Sequence, residues 1–232
     1  MTIKMKDEAM FRHCRAIIFD MDGTLLDTLQ DIAGAINATL QDWGLAGKSS
    51  EELLNYIGHG ALWLCQRASG LSGEAAERFC CDYKKKAFNS SDARTRVYPG
   101  IMEAVHALKA EGFKLGIYTN KPQAWAEKLA VQFFGIGMFD GIAGAHDGAP
   151  LKPEPSGILN LCEAWGVPVK DAVMAGDSPV DIETAKAAGI PGIGVSWGFR
   201  PRQLLVDCEA AKVVDNAWQL MALFGVDVST VQ

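Results

Sequence analysis

The apolar positions of the chain alternate between two rhythms. Arg15–Phe19 reads R-A-I-I-F, a continuous β-prone run that stops abruptly at the acidic, glycine-containing stretch from Asp20 to Thr24. A buried parallel strand reads this way, with polar residues where the chain emerges at its carboxyl end. Similar runs occur at Phe113–Tyr118, Ala172–Ala175 and Ile190–Val195, with a weaker one at Lys212–Val214 and a possible strand around Asp140–Ala143. Between them the period becomes helical. Ile101, Val105 and Leu108 stand at i, i+4 and i+7, and Gly112 sits where a C′ glycine belongs. Pro122 opens a second helix, and Ile182, Ala185 and Ala188 precede Gly189 in a third. Strands alternating with helices predict an α/β fold, a doubly wound parallel sheet. Its ligand site belongs at the carboxyl ends of the strands.

One stretch breaks the alternation. No strand pattern is found from Thr28 to Asp92. Leu29, Ile32, Ile36, Leu40 and Trp43 trace one helical face, with Thr28 as the expected N-cap. Helical stretches follow at Ser50–Tyr56, Ala61–Ala68 and Gly73–Phe88, separated by turns at Gly44–Gly47 and Gly58–Gly60. The expected organisation is an α/β core made of residues 1–27 and 93–232, with a helical insert at 28–92.

Composition narrows the function classes. The 232 residues are 49% hydrophobic and 22% charged, enough to bury a sizeable core. Twenty-two Lys+Arg against twenty-eight Asp+Glu leave a net charge of −6, which argues against wrapping nucleic acid. The apolar runs are far short of the ~20 residues that span a bilayer. The opening MTIKMKDEAMFRHCR lacks the apolar centre of a signal peptide. Cys14, Cys65, Cys80, Cys81, Cys162 and Cys208 show no framework spacing, so free thiols in a reducing cytoplasm are expected, in a monomer or homodimer.

Asp20, Asp22, Gly23 and Thr24 form a D-x-D-G-T string at the end of the first strand, a match expected by chance on the order of once in a thousand such chains. Two carboxylates this close call for a counter-charge or a metal. An EF-hand loop is excluded, because its required Gly and Glu are replaced by Leu25 and Asp31. Gly47-Lys48-Ser49 is no phosphate-binding loop either, since Asp42 stands where the earlier glycine is needed. Three more polar clusters fall at strand ends: Thr119-Asn120-Lys121, Lys152 in L-K-P-E-P, and the G-D-S-P-V-D run from Gly176 to Asp181. Asp177 and Asp181, at i and i+4, share one side of a helix's first turn. Like charges ~4 Å apart repel by roughly 4 kcal/mol at an effective dielectric near 20. Several such pairs exceed what Lys152 offsets, so a divalent cation with oxygen ligands, Mg²⁺ above all, completes the set.

The ordered set D-M-D-G-T, T-N-K, K-P and G-D-S-P-V-D resembles the four motifs of the haloacid-dehalogenase-like hydrolase superfamily, over essentially the whole chain. The insert is similar to that superfamily's type-1 helical cap. I-G-H-G-A-L-W-L-C and V-S-W-G-F resemble segments of phosphoglycolate phosphatases and their close relatives.

The resemblance implies a Mg²⁺-dependent phosphomonoester hydrolase acting on a small metabolite, with 2-phosphoglycolate the expected substrate. Asp20 is then the nucleophile that becomes an aspartyl-phosphate, and Asp22 the acid and base, its carbonyl a metal ligand. Thr119, the Asn120 backbone and Lys152 hold phosphoryl oxygens. Asp177 ligates the metal, with Asp181 as a further ligand or support. Gly23 and Thr24 lie beside the phosphoryl group, and Lys121 and His59 are candidate substrate contacts. Arg67 is a weaker one, and Trp63 and Trp197 line the cleft or pack in the core. Asp22 separates the chain from dehalogenases, and Thr24 leans away from mutases, which typically carry Val there. A sugar-phosphate phosphatase or mutase, a pyrophosphatase, and a non-catalytic binding protein of the same fold are the alternatives.

Overall fold

The computed structural model describes residues 10–146 and 148–226 of the chain. Its first strand, β1 (Ala16–Phe19), is buried at every position. Ile17 and Phe19 join an apolar cluster on one face of the sheet, while Ala16 and Ile18 join a second cluster on the other. The two-residue period of a strand requires this division. Along the chain follow the two-residue strands β2 (Leu26–Asp27) and β3 (Arg96–Val97), then β4 (Lys114–Pro122), β5 (Gly141–Ala145), β6 (Ala172–Gly176), β7 (Gly192–Val195) and β8 (Lys212–Val214).

Six of these strands form one sheet in the order β5-β4-β1-β6-β7-β8. Every neighbouring pair in it is parallel. The doubly wound α/β class read from the sequence is the fold observed. Connections run from β1 toward β4 and β5 on one side and β6 to β8 on the other, so the topological switch lies at the carboxyl end of β1.

Four helices separate β2 from β3: α1 (Leu29–Asp42), α2 (Ser50–Leu54), α3 (Ala61–Ser69) and α4 (Gly73–Phe88). The rest are α5 (Ile101–Ala110), α6 (Gln123–Phe134), α7 (Ser156–Trp165), α8 (Pro179–Ala188), α9 (Arg202–Asp207) and α10 (Ala217–Leu223). Helices α5, α6 and α10 pack on the Ile17 face, and that cluster continues into Ile36, Leu64 and Phe79 of the first four helices. Helix α7 closes the Ile18 face with Ile158, Leu161 and Cys162.

Several boundaries differ from the sequence reading. Strand β4 does not stop at Tyr118 but carries Thr119–Lys121 buried within it, pairing Pro122 with Ala145 after an irregularity in register. The helix expected to reach Tyr56 ends at Leu54. Thr28 precedes α1 without capping it: its backbone is helical, at φ −108° and ψ 0°, rather than extended, and its hydroxyl donates to Asp22 Oδ1 at 2.7 Å. The antiparallel β2–β3 pair was not foreseen, since two residues are too few to show a period. The reading of the chain's opening lies outside the described residues in its first nine positions. Among the described residues no helix is long and apolar enough to cross a membrane.

Polar contacts fasten both ends of the four-helix segment. Asp31 of α1 accepts from the Arg94 and Thr95 backbone at 3.0 and 2.7 Å and from the Thr95 hydroxyl at 2.7 Å. Lys128 of α6 donates to Phe88 O and Ser90 O, and to Asp92 Oδ2 at 2.7 Å.

Ile17 is fully buried in the central strand. Ile17→Ala is expected to destabilise the protein by about 2–5 kcal/mol. The check is a urea titration in which the midpoint falls while the slope stays constant.

Candidate active site

The parallel register sets the geometry. Phe19 pairs with Ala175, so the residues that leave β1 and β6, Asp20 and Asp177, emerge side by side. Lys152 arrives from the loop before α7 and is held by Asn120 of β4. Its backbone N–H donates to Asn120 Oδ1 at 2.8 Å, and Asn120 Nδ2 donates to Lys152 O at 3.1 Å and to Gly58 O at 2.9 Å. The Asn120 side chain is therefore a brace between three segments.

Lys152 Nζ lies 2.6 Å from Asp181 Oδ1 and 2.9 Å from Asp20 Oδ1. The second contact is close but poorly aligned, which leaves Asp20 Oδ1 buried without a hydrogen bond. Asp181, the N3 residue of a capping box on α8, accepts from Ser178 N at 3.0 Å and Ser178 Oγ at 2.7 Å with Oδ2. Both Asp181 oxygens are thus engaged. Asp177 Oδ2 accepts from Phe199 N at 2.6 Å. Carboxylate oxygens of Asp20, Asp177 and Asp181 lie within 4.8 Å of one another.

Charge is out of balance here. Burial pushes the Asp20 carboxyl up to about 6, with Lys152 opposing and Asp181 and Asp22 adding to the rise. Burial also pushes Asp177 well above the usual carboxylate range, reinforced by Asp181 and Asp20. At Lys152 burial works against the ammonium, but Asp181 and Asp20 outweigh it and hold the pKa above its ordinary value. One buried cation against three buried carboxylates is the setting in which a hard divalent ion fits. The Asp20 and Asp177 carboxylates are the oxygen donors that would hold it.

Asp22 is not in this group. Its Oδ2 lies 2.9 Å from Lys121 Nζ, and its Oδ1 accepts from Thr28. The Lys121 ammonium in turn stands 3.7 Å from the centroid of the Trp125 ring. Asp20, Asp22, Thr119, Asn120, Lys121 and Lys152 all line one cavity of about 40 Å³, closed by Gly58, Gly60, Leu64, Tyr83 and Trp125.

Three expected substrate contacts do not line it. Gly23, at φ +86°, packs so tightly on Asp177 that a Cβ would overlap the carboxylate. Thr24 is fully buried, its carbonyl accepting from Trp197 Nε1 at 3.0 Å. His59 is exposed and turned onto Trp63, 5.5 Å between ring centroids. Arg67 also lies on Trp63, at 4.3 Å, so neither Trp63 nor Trp197 is a cavity wall.

The aromatic walls, Tyr83 and Trp125, were missed, because each falls on the apolar stripe of a helix and reads as core. Gly198 was missed as well. A Cβ there would overlap Gly23 O and the Asp177 side chain, and only the W-G-F run hinted at it. Arg200, unremarked in the sequence, donates to Leu54 O and Ile57 O at 2.8 Å each.

Residues 17–195 match the model of the haloacid dehalogenase-like hydrolase family. The chain belongs to that family. Among curated members it is 34% identical to a phosphoglycolate phosphatase of Psychrobacter arcticus, covering 86% of this chain and 91% of the relative. It is also 34% identical to a phosphoglycolate phosphatase of Rhodospirillum rubrum, covering 87% of each. A solved Lactobacillus delbrueckii structure, provisionally named a phosphoglycolate phosphatase, superposes with a TM-score of 0.84 at 28% identity, over 90% of this chain and 98% of that one. The chain is a hydrolase of this family, and its acidic cluster lies at the carboxyl edge of the sheet.

The raised Asp20 pKa has a measurable consequence. The folded metal-free protein binds a proton at Asp20 between about pH 4 and 6 that the unfolded chain has released, so this group's contribution to stability falls as pH rises. Asp20→Asn removes that loss. The variant is expected to melt about 5–10 °C above wild type beyond pH 6, with the gap closing toward pH 4. Thermal denaturation across pH in chelator checks this.

Proposed function

We propose that the chain is a phosphatase for small phosphate monoesters, with 2-phosphoglycolate as its substrate. The observation that carries this reading is Asp20. Its carboxylate lines a cavity, beside a buried lysine and two residues from a second carboxyl, with one oxygen lacking a hydrogen bond. The names of the two curated relatives support the substrate.

In this mechanism Asp20 attacks phosphorus, forming an acyl phosphate as the bond to the alkoxide breaks. Asp22 gives its proton to the departing alkoxide. It then takes one from the water that attacks phosphorus and restores the Asp20 carboxylate. Thr119 and Lys152 hold phosphoryl oxygens, and Lys152 keeps Asp20 ionised. Asp181 anchors Lys152. Asp20, Asp177 and the Asp22 carbonyl would hold Mg²⁺, which when bound offsets the charge of the cluster and of the transferring phosphoryl group. Residues 28–92 serve as a cap over a core of residues 1–27 and 93–232, opening to admit substrate and closing to exclude water.

Purified protein is expected to release phosphate from 2-phosphoglycolate with Mg²⁺ and to stop when the metal is chelated. Asp20→Asn should lower kcat at least a thousandfold, and beryllium fluoride should mark Asp20. Turnover that survives either change would refute the assignment. Asp22→Asn should lose far more rate on 2-phosphoglycolate than on an aryl phosphate, whose leaving group needs little protonation. Steady-state kinetics on the two esters checks this.

A further inference from the structure

Among the described residues, three buried side-chain polar atoms lack a hydrogen-bond partner: Asp20 Oδ1, Thr24 Oγ1 and Trp125 Nε1. Asp20 and Trp125 both line the same cavity. An orphaned buried donor costs roughly 1–3 kcal/mol, so an indole N–H without an acceptor, on a residue that lines the cavity, calls for a partner such as a ligand oxygen or an ordered water. Other indoles of the chain show the contrast. Trp43 Nε1 donates to Asp82 at 3.1 Å, and Trp197 Nε1 donates to Thr24 O at 3.0 Å. Trp125 is 4% exposed, and its indole finds no acceptor.

Its surroundings define the missing acceptor. Tyr83, from the four-helix segment, meets Trp125 edge-on with 6.3 Å between ring centroids, and it lines the cavity too. Burial pushes the Tyr83 phenol well above its ordinary pKa, so the hydroxyl keeps its proton and can donate. The Lys121 ammonium lies over the Trp125 ring. An N–H and an O–H donor on one wall, with the Lys121 ammonium beside them and shared with Asp22, suit an oxyanion, and Asp20 on the same cavity would hold the phosphoryl end of the ligand.

We infer that Trp125 Nε1 and the Tyr83 hydroxyl seat the carboxylate tail of the substrate ester, beside Lys121, making both aromatic residues determinants of specificity. This rests on the carboxylate-bearing ester proposed above. Tyr83 comes from the four-helix segment and Trp125 from α6, so the tail bridges the two sides of the seam. A site built to hydrogen-bond a polar group discriminates strongly against an analogue that lacks it.

The test compares 2-phosphoglycolate with ethyl phosphate, the two-carbon ester without a carboxylate, by phosphate release from wild type, Trp125→Phe and Tyr83→Phe. Wild type is expected to prefer 2-phosphoglycolate. Each variant should lower the ratio of kcat/KM values at least tenfold, chiefly through KM for 2-phosphoglycolate. A variant that loses rate equally on both esters is structurally damaged at the site, and that outcome counts against the inference. Preserved selectivity in Trp125→Phe overturns it while leaving the substrate reading intact. No preference in wild type overturns both. Should Trp125→Phe fail to fold, the indole N–H resonance of Trp125 is followed in full-length Asp20→Asn protein. It should move on adding 2-phosphoglycolate and stay in place with ethyl phosphate, and the reverse refutes the seat.

Discussion

Three carboxylates and one ammonium share a volume from which water is almost entirely removed. Asp20, Asp177, Asp181 and Lys152 are each at most 5% exposed. Breaking a buried pair by removing one partner typically costs about 3–5 kcal/mol, because the remaining charge has no solvent to turn to. Much of the local architecture holds Lys152 where it must be. Asn120 clasps its backbone, Asp181 takes its ammonium, and Ser178 fixes Asp181. What remains is a deliberate deficit of positive charge beside Asp20. Reactive sites concentrate such perturbed groups, since an evenly neutralised cluster has nothing left to attract a metal or a phosphoryl group.

The seam between the four-helix segment and the sheet is polar where it bears on this cluster. Asn120 donates to Gly58 O, and Arg200 donates to Leu54 O and Ile57 O. These bonds use backbone carbonyls of the segment as acceptors, so they depend on its path more than on its side chains. Thr28 connects the seam to the chemistry directly, since it lies where α1 begins and donates to Asp22. Position in the segment and orientation of the Asp22 carboxyl are consequently linked through one hydroxyl.

The sheet was legible because burial on both faces leaves short apolar runs that end in polar residues, and β1, β6 and β8 lie within a residue of their expected limits. The acidic string was legible for a related reason. Asp20, Asp22 and Asp177 cluster where strands end, with Asp181 one helical turn beyond, so their spacing alone raises the question of a ligand. Other features left no trace. Tyr83 and Trp125 obey the helical period of core residues, and the sequence does not say that the core at those turns is a cavity. His59 stood out because flanking glycines marked a turn, and here its side chain at that turn is exposed and lies against Trp63. Thr28 resembled a cap because it stands before an amphipathic helix, but its backbone is already helical and its hydroxyl turns to Asp22.

The β2–β3 ladder, Leu26 with Val97 and Asp27 with Arg96, brings the start and the finish of the helical segment into adjacent strands. Whatever lies between them enters and leaves by a single doorway. Residues can be gained, lost or exchanged there without altering the distance the main sheet must span, so the pairing of β1 with its neighbours is insulated from changes in the segment.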